Sequence, residues 1–444
     1  MRMVKKAGLS VILVGALVLI VGIGLLVKYG MERAVAEEVL VKFPDRGVPR
    51  INITLNGVSL EEINAGSKDV KYEGNWLDLY EGDEKTLEAE NVRVKGRGNT
   101  TWQQPKKPFQ IKFTKKTNVL GVANNKKWVL LANFFDTSLM RNDVAMLLAE
   151  MLGIDYNVRG EFIDLYFDGK YEGLYYLLPS VEISKGSVDL RDSGGVLFEL
   201  DTLHRDEEVC FTSYFGECLV LRDTVTKDNN IMKMAADNFM RNYNEFEVEL
   251  EKGNYERLTE LADLDSFVKY FLLSEFTVNP DAYISSFYLY KNGVDDKIHV
   301  GPVWDYDFAL GNHNWDWQVD ESFYSPYEEM VRKREVFIPD GINEESLISR
   351  LFYYLDELPE FHNQVVEVFR KNLLDKDEML IAEIMERKET ISEAAKKDEQ
   401  KWKDQKWDNR TFEEEFDYLM KWINSRYEFF EEQYGFKDEE YVEL

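Results

Sequence analysis

The hydrophobic period changes once along this chain, near residue 228, and that change narrows the possible folds more than any other feature. Before it, apolar residues tend to recur at every second position, the spacing of strands with one buried face. RINITLNGVSL (50–60) alternates and then turns at Asn56-Gly57, and NVRVKGRGN (91–99) runs into a glycine-broken loop. PFQIKF (108–113) sets Phe109, Ile111 and Phe113 on one face, and WVLLANF (128–134) reads as a strand or other buried segment. EFIDLYFDGKYEGLYYLLPS (161–180) reads as a hairpin turning at Asp168-Gly169, with further short strands at 196–201 and 217–223. One helix interrupts them, SLMRNDVAMLLAEMLG (138–153), with Ser138 to cap it and Gly153 to end it. After residue 228 the pattern is mostly helical. LDSFVKYFLLSEFTVN (264–279) is a long apolar helix, and residues 344–444 are helical, acidic and rich in Glu-Lys spacing. A hairpin through Asn292-Gly293, framed by SSFYLYKNG and KIHVGPVWDYD, is the exception. The expectation is an α+β protein, with a strand-rich front lobe over about 49–227 and a helix-rich back lobe over about 228–444.

The N-terminus follows a different rule. Residues 7–27 carry no charge over 21 positions, enough for a helix to cross the roughly 30 Å bilayer core. Arg2, Lys5 and Lys6 precede the run, so the positive-inside rule leaves the N-terminus in the cytoplasm and the body outside. The alternative is a signal peptide cleaved after Ala34-Val35-Ala36. Either way residues 1–30 are a transmembrane anchor or signal, residues 31–48 a polar stalk, and the body is exported. Cys210 and Cys218, in CFTSYFGEC, suit a hairpin disulfide in such a compartment, two free thiols being the other reading.

The formal net charge is −29, from 83 acidic and 54 basic residues. This excludes general nucleic-acid binding, which needs a positive surface. Against that background residues 93–127 hold ten basic side chains and no acidic one. They form either a solvated basic face or a place where phosphate can dwell. The GRGNTTW loop favours the second, because two glycines let backbone N–H groups come close to an anion. It matches neither the P-loop nor the dinucleotide fingerprint.

VWDYD raises a further question. If it is extended, Asp305 and Asp307 share one face, and two carboxylates there ask for a cation between them, Mg²⁺, Mn²⁺ or Ca²⁺. Asp281, in NPDAYISSFY with Ser285 and Ser286, lies 24 residues upstream of Asp305. A catalytic Asp, a short hairpin and a metal-binding Asp is the order kinases use for phosphoryl transfer. Taken singly, each Asp also fits a turn or cap. The four histidines (204, 299, 313, 362) show no ligand spacing and read as structural. Trp304, Trp315 and Trp317 read as core, or as a carbohydrate or peptide platform.

These stretches together carry a resemblance. RGNTTWQQPKKPFQIKF (97–113), WVLLANFFDTSLMRN (128–142), FDGKYEGLYYLL (167–178), NPDAYISSFYLY (279–290) and VWDYDFALGN (303–312) resemble the spore-coat protein H (CotH) kinase family, over roughly residues 49–430. The resemblance implies an atypical, two-lobed protein-kinase-like fold that binds ATP with Mg²⁺ or Mn²⁺ and phosphorylates protein Ser or Thr. On that basis Asp281 is the catalytic residue, and Asp305 with Asp307 is similar to the metal-binding Asp of kinases. Lys107 is the phosphate-anchoring lysine, with Lys106 and Lys112 as rivals. Arg97, Asn99 and Trp102 line the nucleotide side of the loop, and Arg141 reaches a phosphate from its helix. Two positions depart from the family pattern. Ser286 stands where the family often has a metal-binding Asn. Ser180 stands near a frequent Glu, with Glu182 only later. Together they admit a slow kinase, or a pseudokinase serving as a surface binding module. The expected partners are a Ser/Thr acceptor protein, a basic one if it docks on the acidic helices, and the membrane through residues 7–27.

Overall fold

In the computed structural model, which describes residues 42–201, 210–279, 282, 285–312, 325–327, 329 and 349–435, the front of the chain closes on itself. The strands are β1 (Arg50–Thr54), β2 (Tyr72–Glu81), β3 (Glu84–Gly96), β4 (Phe109–Val119), β5 (Ala123–Leu131), β6 (Glu161–Phe167) and β7 (Lys170–Pro179). They form a closed barrel in the order β1-β2-β3-β4-β5-β7-β6. Closure comes from β1, which pairs antiparallel with β2 and parallel with β6. The period of two turns one residue in each pair inward. Val94, Ile111 and Trp128 stand opposite one another on β3, β4 and β5 and fill the interior with Ile51, Leu77, Phe109 and Leu165. Each such side chain gains about 1.5–3 kcal/mol by leaving water. The β2–β3 hairpin is longer than the sequence suggests. Its first half alternates too weakly to read, with only Leu77 and Leu79 buried on its apolar face.

Residues 42–48, expected in the stalk, lie against the barrel. Phe43 stacks on Tyr80 with ring centres 5.2 Å apart, and Arg46 pairs with Asp164 at 2.6 Å.

A second sheet joins the two halves of the chain. It comprises β8 (Val196–Leu200), β9 (Cys210–Thr212), β10 (Cys218–Thr224), β11 (Phe287–Lys291) and β12 (His299–Val300), in the order β12-β11-β8-β10-β9. Because β11 pairs with β8, Leu289 opposite Phe198, strands from both sides of residue 228 share one sheet. The change of period is therefore not a spatial border: FYLYK is buried along its whole length and needs neighbours on both sides. Cys210 and Cys218 are disulfide-bonded across the β9–β10 hairpin.

The helices are α1 (Leu60–Ala65), α2 (Arg141–Leu152), α3 (Asn229–Glu251), α4 (Tyr255–Leu261), α5 (Leu264–Thr277), α6 (Ser349–Asp356), α7 (Pro359–Asn372), α8 (Asp377–Trp402) and α9 (Phe412–Phe430). Gly153 ends α2 in the left-handed region, φ 67°. Its start is held by Asp136 rather than by a Ser138 cap: that carboxylate accepts from the Ser138 and Arg141 N–H groups at 3.0 and 2.8 Å. A large core runs from the outer face of the barrel through the second sheet to α5 and α9, including Val129, Phe198, Phe271 and Leu419. The uncharged run 7–27 lies outside the described residues. Among the described residues no helix is long and apolar enough to cross a membrane.

Candidate functional site

A cleft of about 440 Å³ opens where three parts of the fold meet. One wall is the end of β3 with residues 96–101. The second is the sheet, through Glu199, Arg222 and Tyr288. The third is the segment carrying Trp304, Asp305, Asp307 and Phe308.

The first wall follows from strand alternation. Val92, Val94 and Gly96 point into the barrel, so Arg93, Lys95 and Arg97 point out, and the last two reach the cleft. Gly96 has to be glycine: a Cβ there would sit 2.6 Å from the Trp102 ring and 2.7 Å from the Lys68 Cα. Gly98 adopts φ 80°, which turns the chain. Lys68 donates to the Gly98 carbonyl and to Asn99 Oδ1, tying the loop down. The Arg97 guanidinium lies 4.5 Å from the centre of the Trp304 ring. Its Nη1 is buried without a hydrogen-bond partner among the described residues. Burial lowers the Arg97 pKa, opposed by Tyr288, Asp305 and Glu199.

The third wall corrects the expectation of an extended VWDYD. No strand covers residues 301–306, and Asp305 takes a left-handed conformation, φ 66°. The two carboxylates meet because the chain turns, not because alternate residues share a face. Both also border an adjoining cavity of about 60 Å³ with Arg97. Burial raises the Asp305 pKa, while Arg97 and a hydrogen bond with Asp307 lower it. Other segments clamp the turn. Asn142 Oδ1 accepts from the Tyr306 N–H at 2.9 Å, and Asn312 Nδ2 donates to the Asp307 and Phe135 carbonyls at 2.6 and 2.9 Å. Arg141 Nε donates to the Ala309 carbonyl at 3.0 Å.

Of the residues singled out from the sequence, Arg97, Asn99, Ser285, Ser286, Trp304, Asp305 and Asp307 line the cleft. Asp281 lies outside the described residues. So do His204, His313, Trp315 and Trp317. Trp102 faces the barrel interior, edge-on to Phe109 with ring centres 6.1 Å apart. Lys107 folds over the Trp102 ring, 4.8 Å from its centre. Lys106 is buried, paired with Asp398 at 2.8 Å and donating to the Leu174 carbonyl at 2.7 Å. Lys112 stands on the outer barrel face between Arg93 and Lys127. Arg141 is fully buried, with Nη1 on Asp136 and Nη2 on Glu415, both at 2.6 Å. None of these five is among the cleft-lining residues. Ser180 is buried and accepts from Gln110 Nε2 at 3.1 Å, and Glu182 pairs with Lys127 at 2.6 Å. His299 sits between Asp263 and Asp296, and His362 pairs with Asp356.

The sequence reading missed Lys68, Glu199, Asp201, Arg222 and Tyr288, which also line the cleft. Arg222 bridges Glu199 and Asp201, the latter at 2.9 Å. One signal was present: Glu199 breaks an otherwise apolar strand, VLFEL.

The donor set suits a hard divalent cation. Mg²⁺ takes one or two carboxylates and completes its shell with phosphate oxygens and water. Asp305 and Asp307 supply two. Among the described residues no group of three or more His, Cys, Asp or Glu is placed to hold a metal ion alone. Lys68, Lys95 and Arg222 line the same cleft as Arg97, whose Nη1 is an unsatisfied donor there among the described residues.

A family model described as CotH kinase protein matches residues 92–430, so β1 and β2 precede the matched part. The inner spore coat protein H of Bacillus subtilis (strain 168) is 24% identical over 237 residues. That alignment covers 50% of this chain and 59% of the relative's length.

Proposed function

Because the chain belongs to the CotH kinase protein family, we propose that it transfers the γ-phosphoryl group of ATP, with Mg²⁺ or Mn²⁺, to Ser or Thr of an acceptor protein. One observation carries this reading: two acidic residues, Asp305 and Asp307, share a single cleft with Arg97 and the glycine-turned loop 96–101. Asp305 and Asp307 would hold the metal. Arg97, Lys95 and Lys68 would face the phosphates, and Ser286 would offer an oxygen. Asp281 is assigned the role of orienting the acceptor hydroxyl. The hydroxyl oxygen bonds to the γ-phosphorus as its proton passes to Asp281, the bond to the bridging oxygen breaks, and ADP leaves. Positioning and charge stabilisation supply most of the rate.

The body acts outside the cytoplasm, tethered through residues 7–27 or released by cleavage. The name of the Bacillus subtilis relative supports a spore-associated place. The Ser286 and Ser180 departures favour a second reading, a pseudokinase that binds nucleotide and assembles partners.

The test incubates the full chain with γ-labelled ATP, Mg²⁺ or Mn²⁺, a basic acceptor protein and a Ser-rich peptide. Transfer that falls by about 10²-fold or more in both Asp281→Asn and Asp305→Asn supports the kinase. Metal-dependent ATP binding without transfer supports the pseudokinase. Neither binding nor transfer removes both.

A further inference from the structure

The outer face of the barrel carries a row of cations that the cleft does not use. Interior residues Val94, Ile111 and Trp128 stand in register across β3, β4 and β5. The same register one residue along sets Arg93, Lys112 and Lys127 side by side on the outside. Like charges directly opposite one another on a sheet are destabilising. Lys112 registers the crowding: burial, then Arg93, Lys127 and Lys126, lower its pKa, with Glu182 opposing. Partial relief comes from Glu73 on Arg93 at 3.4 Å and Glu182 on Lys127 at 2.6 Å. Such surface pairs are worth roughly 0–1 kcal/mol each and exchange readily. Lys112 itself makes no ion pair among the described residues. A chain of net charge −29 that sustains this row keeps it against the trend of its own composition.

The row is continuous with the cleft. Arg93 and Lys95 follow one another along the outer face of β3 with Arg97 just past its end, and the last two line the cleft. Four residues along a strand cover about 13 Å, and two strand spacings add about 10 Å sideways. From Arg97 to the row is therefore roughly 13–16 Å, or about four to five residues of extended peptide.

We propose that Arg93, Lys112 and Lys127 form a docking site for a phosphorylated Ser or Thr of the acceptor chain, so that one completed transfer draws a neighbouring hydroxyl into the cleft. The proposal rests on the kinase reading above. The chemistry fits: each transfer leaves a phosphomonoester of charge about −1.5 to −2, which the row can hold better than the single carboxylates of Glu73 and Glu182. A Ser-rich acceptor would then be modified in runs.

The test uses the full chain and peptides with one acceptor Ser. About five residues away, on either side, each peptide carries Ala, Glu or phosphoserine. The phosphoserine peptide on the productive side should show a KM about tenfold lower or more than its Ala counterpart, with kcat little changed. Arg93→Gln combined with Lys127→Gln should erase that advantage and leave turnover of the Ala peptide unchanged. A second arm follows the fluorescence anisotropy of the labelled phosphopeptide without ATP, with inorganic phosphate as competitor. Equal KM values for the Ala, Glu and phosphoserine peptides overturn the proposal. So does an advantage that survives the double substitution. So does competition by inorganic phosphate at the phosphopeptide's own concentration, since the row would then hold a free anion. If no peptide is phosphorylated but the phosphopeptide binds the natural chain and not the double variant, the docking site stands and the kinase reading falls.

Discussion

Arg97 and Arg141 both reach the 303–312 segment, one over the Trp304 ring and the other at the Ala309 carbonyl, and do different things there. Arg141 is saturated: its guanidinium is shared among Asp136, Glu415 and the carbonyl of Ala309, and no part of it is exposed. Arg141→Ala leaves the buried Asp136 carboxylate without its cation and Glu415 with Arg410 alone. The expected cost is about 3–5 kcal/mol, read as a lower urea midpoint. Arg97 has an unsatisfied Nη1 and pays a desolvation cost in the free protein. Arg97→Ala should therefore change stability by under about 1 kcal/mol while weakening ATP binding, measured by calorimetry, by about tenfold or more. A stability loss as large as that for Arg141 would sink the assignment of Arg97 to the ligand. The sequence puts both arginines in family-like stretches and gives no way to tell them apart, because saturation depends on partners 168 and 274 residues away. The same holds for Lys106, whose partner Asp398 is supplied by α8. Glycine positions were easier to read, since Gly98 and Gly153 are demanded by local backbone geometry.

At the level of elements, the strands whose inward face is continuously apolar were legible, and so were the Asn56-Gly57 and Asp168-Gly169 turns. The segment 303–312 was not, since WDYD alternates like a strand yet is held as a turn by contacts from Asn142, Asn312 and Arg141. Gly311 belongs to that clamp: at φ 74°, a Cβ would lie 2.4 Å from Trp422 Cδ1 on α9. Gly311→Ala should destabilise the protein by about 1–3 kcal/mol and shift the carboxylates of the turn. Metal-dependent ATP affinity should fall with it. The β9–β10 hairpin offers a pH prediction. It is fastened to α3 by Glu247, which accepts from Ser213 Oγ at 3.0 Å and the Phe215 N–H at 2.9 Å. Glu217 lies beside it and accepts from Tyr243. Burial pushes Glu247 up to about 7, and burial with the charge of Glu247 pushes Glu217 up as well. Acids raised in the folded state hold protons that the unfolded chain has already lost. The stabilising effect of Glu247 is full below the usual carboxylate range and is lost as pH rises from about 4.5 to about 7. Thermal melts across that window should show a steeper decline for the natural chain than for Glu247→Gln. Equal slopes would contradict the raised values.

For the whole molecule, the α+β class was readable from the sequence, but the arrangement was not. A period of two reports a buried face and says nothing of which strand lies beside which, so neither barrel closure by β1 on β6 nor the joining of β8 to β11 could be read. Composition speaks at this scale instead. With net charge −29 the chain repels itself, and added NaCl should raise the melting temperature by roughly 1–3 °C as the repulsion is screened. A fall on adding salt would mean that ion pairs such as Arg222 with Glu199 outweigh the repulsion. The closure of the barrel has one more consequence. A sheet border exposes unpaired N–H and C=O groups on which another chain can polymerise. Here the larger sheet closes on itself, and the smaller one ends in its two shortest strands, three residues at β9 and two at β12. Among the described residues the longest stretch paired on a single side is Glu84–Val92 of β3, which is joined to β2 alone, and its Glu84, Lys85, Glu88 and Glu90 set charges along that edge that work against a neighbour adding to it.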